Sequence, residues 1–289
     1  MAQTDPDTPD PTPTSKPILE VRDLRTSFPM RSGALQRITS HHDAVAGVSF
    51  DLGRGEVLGL VGESGSGKTT VGRTILRILP SITGLKIAGS VRFAMPDGRR
   101  IDVLSADRRD LFAFRRQAQI IFQDPAGSLN PRMRVWEIVS EPLVVHGVAH
   151  GRNELRDRAQ ALLERCGMPG SSADLYPHEF SGGQRQRIGI ARSLALDPSL
   201  IICDEPTSAL DVSIQAQIIN LLADLRTEMG LSYLFISHDM GVISHLCDRI
   251  AVMKDGELVE VGRRDQVLGD PQHEYTQRLL AAVPEAPVA

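Results

Sequence analysis

The segment from residue 56 to residue 79 constrains the fold of this chain more than any other. It reads EVLGLVGESGSGKTTVGRTILRIL, which is a short apolar run, a glycine-rich turn ending in Gly-Lys-Thr, and a stretch with helical periodicity. Glycines in such a turn let successive N–H groups surround a phosphate. The segment therefore predicts a buried strand, a phosphate-binding loop and a helix, the local unit of an α/β nucleotide-binding domain.

The loop supplies the predicted contacts with the phosphates of a nucleotide. Lys68 would place a positive charge at the β- and γ-phosphates, and the Thr69 hydroxyl would ligate Mg²⁺. The predicted nucleotide-binding residues of the loop are Gly62, Glu63, Ser64, Gly65, Ser66, Gly67, Lys68, Thr69 and Thr70.

A pair of carboxylates follows another apolar run, in ICDEP at residues 202 to 206. In the company of a phosphate loop, Asp204 is predicted to hold Mg²⁺, and Glu205 to orient or deprotonate the attacking water. Taken alone, Asp-Glu after an apolar run is often only a solvated strand end.

Hydrophobic patterning predicts two kinds of sheet. Alternating apolar residues indicate an antiparallel sheet near the N-terminus, in residues 18–28, 43–52 and 89–104. Short apolar runs that end in polar residues and are separated by helical stretches indicate buried parallel strands, in residues 56–62, 199–205 and 231–239. A hairpin is expected around Asp255 and Gly256, and a last helix near residues 275–283.

The composition narrows the classes of protein to which the chain can belong. Its net charge is −4, with acidic and basic residues interspersed, so we expect no nucleic-acid partner. Cys166, Cys203 and Cys247 are widely spaced and odd in number, which predicts reduced core thiols. We see no signal peptide, and no run approaches the roughly 20 apolar residues that span a bilayer. If the protein works at a membrane, we expect other chains to hold it there.

A second predicted anion site lies in SGGQRQR at residues 181 to 187, just before a helix-period run. A serine and two glycines at the start of a helix present N–H groups and a positive dipole end to an anion. The alternative is that Ser181 merely caps the helix.

Together these motifs resemble the ATPase subunit of ATP-binding cassette (ABC) transporters, from about Ile18 to the C-terminus. They occur in the family's order: the phosphate loop, Gln123 in IIFQDP, the signature SGGQ at 181–184, ICDE at 202–205, SALD at 208–211 and His238 in ISHD. The resemblance implies a phosphate-loop α/β core with a mainly parallel sheet, an N-terminal antiparallel β-subdomain and an inserted helical subdomain. It also implies an ATP hydrolase with ATP and Mg²⁺ as cofactors.

The resemblance assigns roles to residues that mean little singly. It implies that Gln123 contacts Mg²⁺ and the attacking water and reports to the membrane partner. His238 would contact the γ-phosphate, and Asp211 would lie at a dimer interface. Alone, His238 would more often be a structural histidine and Gln123 a loop amide.

The family also explains the second anion site, because its ATPase subunits associate head to tail. Ser181, Gly182, Gly183 and Gln184 would close over the ATP held by the partner's phosphate loop. We therefore expect a carboxylate introduced at Gly183 to prevent closure. Whether the second cassette is a copy of this chain or a different chain stays open.

Adenine requires a flat apolar partner, which the family places after the first strand. The register of VRDLRTSF gives Phe28 this role. The segment PMRSGALQRITSHHD inserts extra residues before the next strand, so His41 or His42 is the alternative. Phe28 could also be an ordinary packed side chain.

Within the family, the cassette most resembles the F-type ATPase subunit of oligopeptide and dipeptide importers. This implies residues 17–265 as the ATP-binding domain, with a helical subdomain at about 124–190, a disordered tail at 1–16 and a short C-terminal extension at 266–289. The implied partners are a second ATPase subunit, two transmembrane permease subunits and, indirectly, an extracytoplasmic solute-binding protein. The implied location is peripheral, on the cytoplasmic face of the inner membrane.

Other assignments remain for the substrate and for the class of protein. Importers of nickel or glutathione share much of the pattern, so the transported solute stays open. DNA-repair and chromosome ABC ATPases have long insertions between phosphate loop and signature, which this chain lacks. Translation factors with two cassettes are excluded because the sequence has a single phosphate loop and a single SGGQ motif. A phosphate-loop kinase would explain neither SGGQ nor SALD.

Overall fold

The alternating apolar residues near the N-terminus form an antiparallel sheet, as predicted. A computed structural model describes residues 17–32, 37–124 and 127–281; the predicted tail at 1–16 lies outside the described residues. The sheet has four strands in the order β2-β1-β4-β5. These strands are β1 (Pro17–Ser32), β2 (Arg37–Gly53), β4 (Lys86–Ala94) and β5 (Arg100–Asp102).

The first two strands are longer than the sequence predicts. In the segment at 29–43, expected as an insertion before the second strand, residues 29–32 continue β1 and residues 37–43 begin β2, while residues 33–36 lie outside the described residues. β1 pairs with β2 along its whole length, whereas its pairing with β4 ends at Ser27, opposite Lys86. Pro29 lies in this extension, where a strand with one paired edge tolerates a residue that lacks an N–H group.

The phosphate-loop segment forms the predicted strand and helix, β3 (Val57–Val61) and α1 (Lys68–Ile75). β9 (Arg249–Lys254) pairs parallel to β3, and β10 (Glu257–Arg263) pairs antiparallel to β9. Asp255 and Gly256 both have positive φ angles, which form the expected hairpin turn. Three helices accompany these strands: α7 (Met240–Leu246), α8 (Arg264–Gly269) and α9 (Glu274–Ala281).

The middle of the chain contains three parallel strands and most of the helices. β6 (Ala118–Ile121), β7 (Leu200–Asp204) and β8 (Ser232–Ser237) pair in parallel in that order. Every residue of β7 and β8 is buried, which explains their continuous apolar runs. The helices are α2 (Arg108–Gln117), α3 (Val135–Val145), α4 (Arg152–Arg165), α5 (Gly182–Leu194) and α6 (Val212–Met229).

The predicted fold class is confirmed: an N-terminal antiparallel sheet, mainly parallel strands with helices, and a run of helices between β6 and β7. The chain divides into two compact units, residues 1–104 with 238–289, and residues 105–237. The three cysteines are buried and free, as expected. Burial raises the pKa of the Cys166 thiol to about 12, so this thiol stays protonated at neutral pH.

Candidate functional site

Lys68 closes the phosphate loop on itself. Its Nζ atom donates to the carbonyl oxygens of Gly62 at 2.7 Å and Glu63 at 2.8 Å, and it lies 3.3 Å from Ser66 Oγ. The Lys68 residue is only 4% exposed. The loop therefore already has the curled conformation, with its positive charge inside, that a phosphate requires.

Two positions of the loop require glycine, because backbone carbonyl groups lie too close to leave room for a Cβ atom. A Cβ atom at Gly62 would lie 2.1 Å from the Met253 carbonyl oxygen, and one at Gly67 would lie 2.1 Å from the Ala44 carbonyl oxygen. Gly67 is also the N-cap of α1, with a φ of 103° and no side-chain cap. No N-cap side chain therefore stands between the start of α1 and an anion.

Phe28 and His42 lie directly opposite each other on β1 and β2. Directly paired residues of antiparallel strands project from the same face, so these two side chains are neighbours. His41 projects from the other face, and its Nε2 atom lies 3.1 Å from the Gly84 carbonyl oxygen. Ala44, whose carbonyl meets the Gly67 position, is two residues from His42 along β2. Of the three predicted adenine contacts, the structure groups Phe28 with His42 and separates His41.

The structure brings together Gln123 and Glu205, which are far apart in the sequence. The Nε2 atom of Gln123 donates to Glu205 Oε2 at 3.1 Å. Glu205 has a φ of 47°, an unusual conformation for a residue other than glycine, and its N–H donates to the Ile236 carbonyl at 3.0 Å. The Glu205 carbonyl accepts from Ser208 Oγ at 3.1 Å. Backbone strain of this kind clusters at functional sites, because the surrounding contacts must hold it.

Asp204 is the buried last residue of β7, as predicted from the sequence. Among the described residues, no group of three or more His, Cys, Asp or Glu side chains could hold a metal ion. A single buried carboxylate, that of Asp204, fits Mg²⁺, because this ion takes one or two carboxylates and completes its coordination with phosphates and water. Thr69, Gln123 and Asp204 stay the residues that the sequence predicts as ligands of Mg²⁺.

The signature segment begins α5 with a reciprocal cap. The N–H of Gln184 donates to Ser181 Oγ at 3.3 Å, and the N–H of Ser181 donates to Gln184 Oε1 at 3.0 Å. Ser181 thus caps the helix, as one of the two interpretations predicts. The same four residues leave the N–H groups of Gly182 and Gly183 in the first helical turn, where a helix provides no acceptor for them. Capping and anion binding are therefore compatible at this helix end.

The two signature glycines differ in their surroundings. Gly182 is exposed, and a Cβ atom there would lie 3.5 Å from Leu210 Cδ2, an ordinary contact. Gly183 is buried, and a Cβ atom there would lie 2.4 Å from Ile214 Cγ2. A carboxylate at Gly183 would therefore disturb the packing of α5 on α6. The expected loss of closure at Gly183 would therefore be mixed with a packing defect, whereas a substitution at Gly182 reports closure without it.

Asp211 directly precedes α6, His238 directly follows β8, and both residues are exposed. Asp211 is the N-cap of α6, and its carbonyl accepts from the N–H of Gln215 at 2.8 Å. The next residue, Val212, is 83% exposed, an apolar surface that the sequence analysis did not single out. His238 is the first residue after β8.

The predicted site residues fall in both units. Phe28, the loop 62–70 and His238 belong to the first, whereas Gln123, Ser181–Gln184 and Asp204–Glu205 with Asp211 belong to the second. Sequence reasoning missed one neighbour of the loop: the hydroxyl of Tyr275 accepts from the N–H of Glu63 at 3.0 Å. The only sequence signal was the position of Tyr275 in the C-terminal segment QHEYTQRLL, which by itself does not indicate this contact.

Comparison with known proteins gives consistent matches. A family model described as ABC transporter matches residues 45–208. The glutathione import ATP-binding proteins GsiA of Shigella boydii serotype 4 (strain Sb227) and of Escherichia coli (strain K12) are each 54% identical over 271 residues. These matches cover 94% of this chain and 42% of each relative, so the chain spans about two-fifths of their length.

Solved structures agree with these matches. The ATP-binding cassette MJ0796, in a dimeric post-hydrolysis state bound to ADP and Pi, is similar with a TM-score of 0.70 and 29% identity. The match covers 85% of this chain and 98% of that cassette. CbiO1 from Clostridium perfringens, part of the ABC transporter complex cbiONQ, is similar with a TM-score of 0.69 and 28% identity, covering 88% of this chain and 91% of that one.

Proposed function

The chain belongs to the ABC transporter family, and from this membership we propose that it is the ATP-hydrolysing subunit that powers a membrane importer. The family match at residues 45–208 includes the phosphate loop, Gln123, the signature and the carboxylate pair. The observation that supports ATP binding most strongly is the phosphate loop, with Lys68 held by the Gly62 and Glu63 carbonyls at the start of α1.

The residues of the chain divide the chemistry between them. The loop N–H groups and Lys68 bind the phosphates and stabilise the charge that develops on the γ-phosphoryl group. Glu205 accepts a proton from the attacking water or orients that water, and Gln123 holds the Glu205 carboxylate in place through its 3.1 Å hydrogen bond. Mg²⁺, when bound, supplies charge neutralisation at the β- and γ-phosphate oxygens.

The signature completes the site of a second cassette. The positive dipole end of α5 faces the γ-phosphate of an ATP held by the partner, together with the exposed residues Ser181, Gly182 and Gln184. The dimeric state described for the cassette MJ0796 supports this assignment. ATP then favours the closed pair and hydrolysis releases it, because ADP lacks the group that both faces contact.

Adenine binding rests on Phe28. Replacing Phe28 by Ala is expected to weaken ATP and ADP equally, because stacking of a base on an aromatic ring contributes about 1 to 3 kcal/mol. Titration of the purified subunit with each nucleotide measures this effect. His41→Ala serves as the control, because His41 lies on the other face of the sheet. Unchanged affinity in Phe28→Ala with a loss in His42→Ala would assign the base to His42 instead.

For the transported solute, the comparisons favour glutathione over the di- and oligopeptides that the sequence resemblance implied. Proteins described as glutathione import ATP-binding proteins are 54% identical over 94% of this chain. Glutathione is itself a tripeptide, so the two assignments are close in chemistry.

Reconstitution tests the transport assignment. The chain, assembled with its membrane subunits and solute-binding protein, is expected to hydrolyse ATP faster when glutathione is added than when a dipeptide or Ni²⁺ is added. Lys68→Ala is the control for hydrolysis by this chain. Stimulation by the dipeptide or by Ni²⁺ alone would reassign the solute, and an inert complex under every condition would contradict the function itself.

The place of action follows from the partners. No helix among the residues that the structure describes is long and apolar enough to cross a bilayer. From its family, we propose that the chain acts at the cytoplasmic face of the inner membrane, held there by two permease subunits, with a solute-binding protein on the far side. No nucleic acid is assigned as a partner.

A further inference from the structure

The C-terminal helix contacts the phosphate loop through one side chain. Tyr275, in the first turn of α9, is 4% exposed, and its hydroxyl oxygen accepts a hydrogen bond of 3.0 Å from the N–H of Glu63. Burial raises the pKa of the Tyr275 phenol, so the group is neutral and protonated at physiological pH. A residue more than two hundred positions away thus contacts the loop directly.

This hydrogen bond acts on the same peptide group that Lys68 uses. The N–H of Glu63 and the carbonyl of Gly62 belong to one trans peptide unit, so they point in opposite directions. The carbonyl accepts from Lys68 Nζ at 2.7 Å, and the N–H donates to Tyr275. Rotation of this peptide plane would move the acceptor that holds the lysine, and Tyr275 opposes that rotation.

Tyr275 is itself fixed by contacts on several sides. The Nζ atom of Lys254 lies 5.4 Å from the centre of the tyrosine ring. The N–H of Tyr275 donates to His273 Nδ1 at 3.1 Å, and the N–H of His273 donates to Glu260 at 3.0 Å. The segment before α9 is therefore fastened to β10, so the tyrosine hydroxyl has a defined position.

From these contacts we infer that Tyr275 is a positioning residue for nucleotide binding, through which α9 holds the phosphate loop in its binding conformation. The inference rests on the proposed function, since it requires that the loop binds ATP. Without the hydroxyl, the loop would sample conformations in which Lys68 is displaced. The apparent affinity for nucleotide is then reduced in proportion to the fraction of molecules whose loop is in the binding conformation. The rate at which bound ATP reacts is unchanged.

Tyr275→Phe tests this inference with the least disturbance, because it removes only the hydroxyl. The affinity of the full chain for ATP and for ADP is expected to fall by about three- to tenfold, the effect of one hydrogen bond. In the assembled complex, KM for ATP should rise while kcat at saturating ATP stays unchanged. Isothermal titration of the isolated chain and steady-state kinetics of the complex measure the two effects.

Two matched variants separate positioning from general stability. Tyr233→Phe removes a hydroxyl from another buried tyrosine, which donates to the Leu222 carbonyl at 3.0 Å. Thr276→Val changes the next residue of α9, whose fully buried hydroxyl has no hydrogen-bond partner among the described residues. Both variants are expected to bind ATP like the wild type, whatever their melting temperatures.

The outcomes are distinct. Wild-type affinity in Tyr275→Phe, or a loss of kcat at unchanged KM, would overturn the positioning role while leaving the proposed function intact. An equal loss of affinity in Thr276→Val would also overturn it, by assigning the effect to helix packing. Failure of the wild-type chain itself to bind ATP would instead contradict the proposed function.

Discussion

Replacement of Glu205 by Gln is expected to lower ATP hydrolysis by about 10²- to 10⁴-fold, the usual cost of losing a general base. The amide keeps the size of the side chain, and its oxygen can still accept the hydrogen bond from Gln123 Nε2. ATP binding should therefore stay near normal, because the phosphate loop is untouched. Hydrolysis by the assembled complex, measured beside nucleotide affinity of the isolated chain, separates the two effects.

The matched control for this variant is Glu228→Gln, an exposed glutamate in α6 whose carboxylate pairs with Arg165. Exposed pairs of this kind contribute little, so its hydrolysis should equal that of the wild type. We also expect Glu205→Gln to accumulate the ATP-bound pair of cassettes, since closure no longer leads to hydrolysis. Turnover near the wild-type rate would show that another residue activates the water.

Replacement of Gly182 by Asp is expected to prevent closure of the composite site. The new carboxylate would face the γ-phosphate of the partner's ATP in a partly desolvated gap. At an effective dielectric constant near 20, two like charges about 4 Å apart cost about 4 kcal/mol, which is about a thousandfold in equilibrium. If the second cassette is a copy of this chain, both sites are affected; if it is a different chain, the partner's site is affected.

Gly182→Asn is the matched control, because asparagine has the shape of aspartate without its charge. A Cβ atom at Gly182 meets only Leu210 Cδ2 at 3.5 Å, so both side chains fit. The difference between the two variants therefore reports charge at the closing face. Equal hydrolysis by the Asp and Asn variants would show that the γ-phosphate of the partner's ATP does not approach this face of α5.

The sequence predicts the elements whose local pattern is unambiguous. The apolar run before the phosphate loop, the runs that become β7 and β8, and the turn at Asp255 and Gly256 all appear where expected. Their prediction succeeds because a buried parallel strand must be apolar on both faces, and a tight hairpin turn requires residues that tolerate positive φ.

Other features depend on contacts between distant residues, which no local pattern records. The extension of β1 to Ser32 is decided by its pairing with β2, not by its own composition. The unequal surroundings of Gly182 and Gly183 come from the packing of α6 on α5. The contact of Tyr275 with Glu63 likewise joins two residues that are 212 positions apart in the sequence. These tertiary contacts override or supplement local propensity.

The candidate site divides in the same way. Motif order assigned Gln123 and Glu205 to one reaction, and the structure places their side chains 3.1 Å apart. For adenine, the sequence left three side chains open, and only the strand register groups Phe28 with His42. The solute cannot be derived from this chain's own residues, since they act on ATP.

We assign the signature of this chain to ATP that is bound by another cassette. The most direct test measures ATP binding by the isolated Gly182→Asp chain and total ATP hydrolysis by the complex assembled from it, each against Gly182→Asn. This assignment predicts equal binding by the two variants and a clear loss of hydrolysis in the Asp variant alone. Loss of ATP binding by the isolated Asp variant, or total hydrolysis equal to that of the Asn variant, would contradict it.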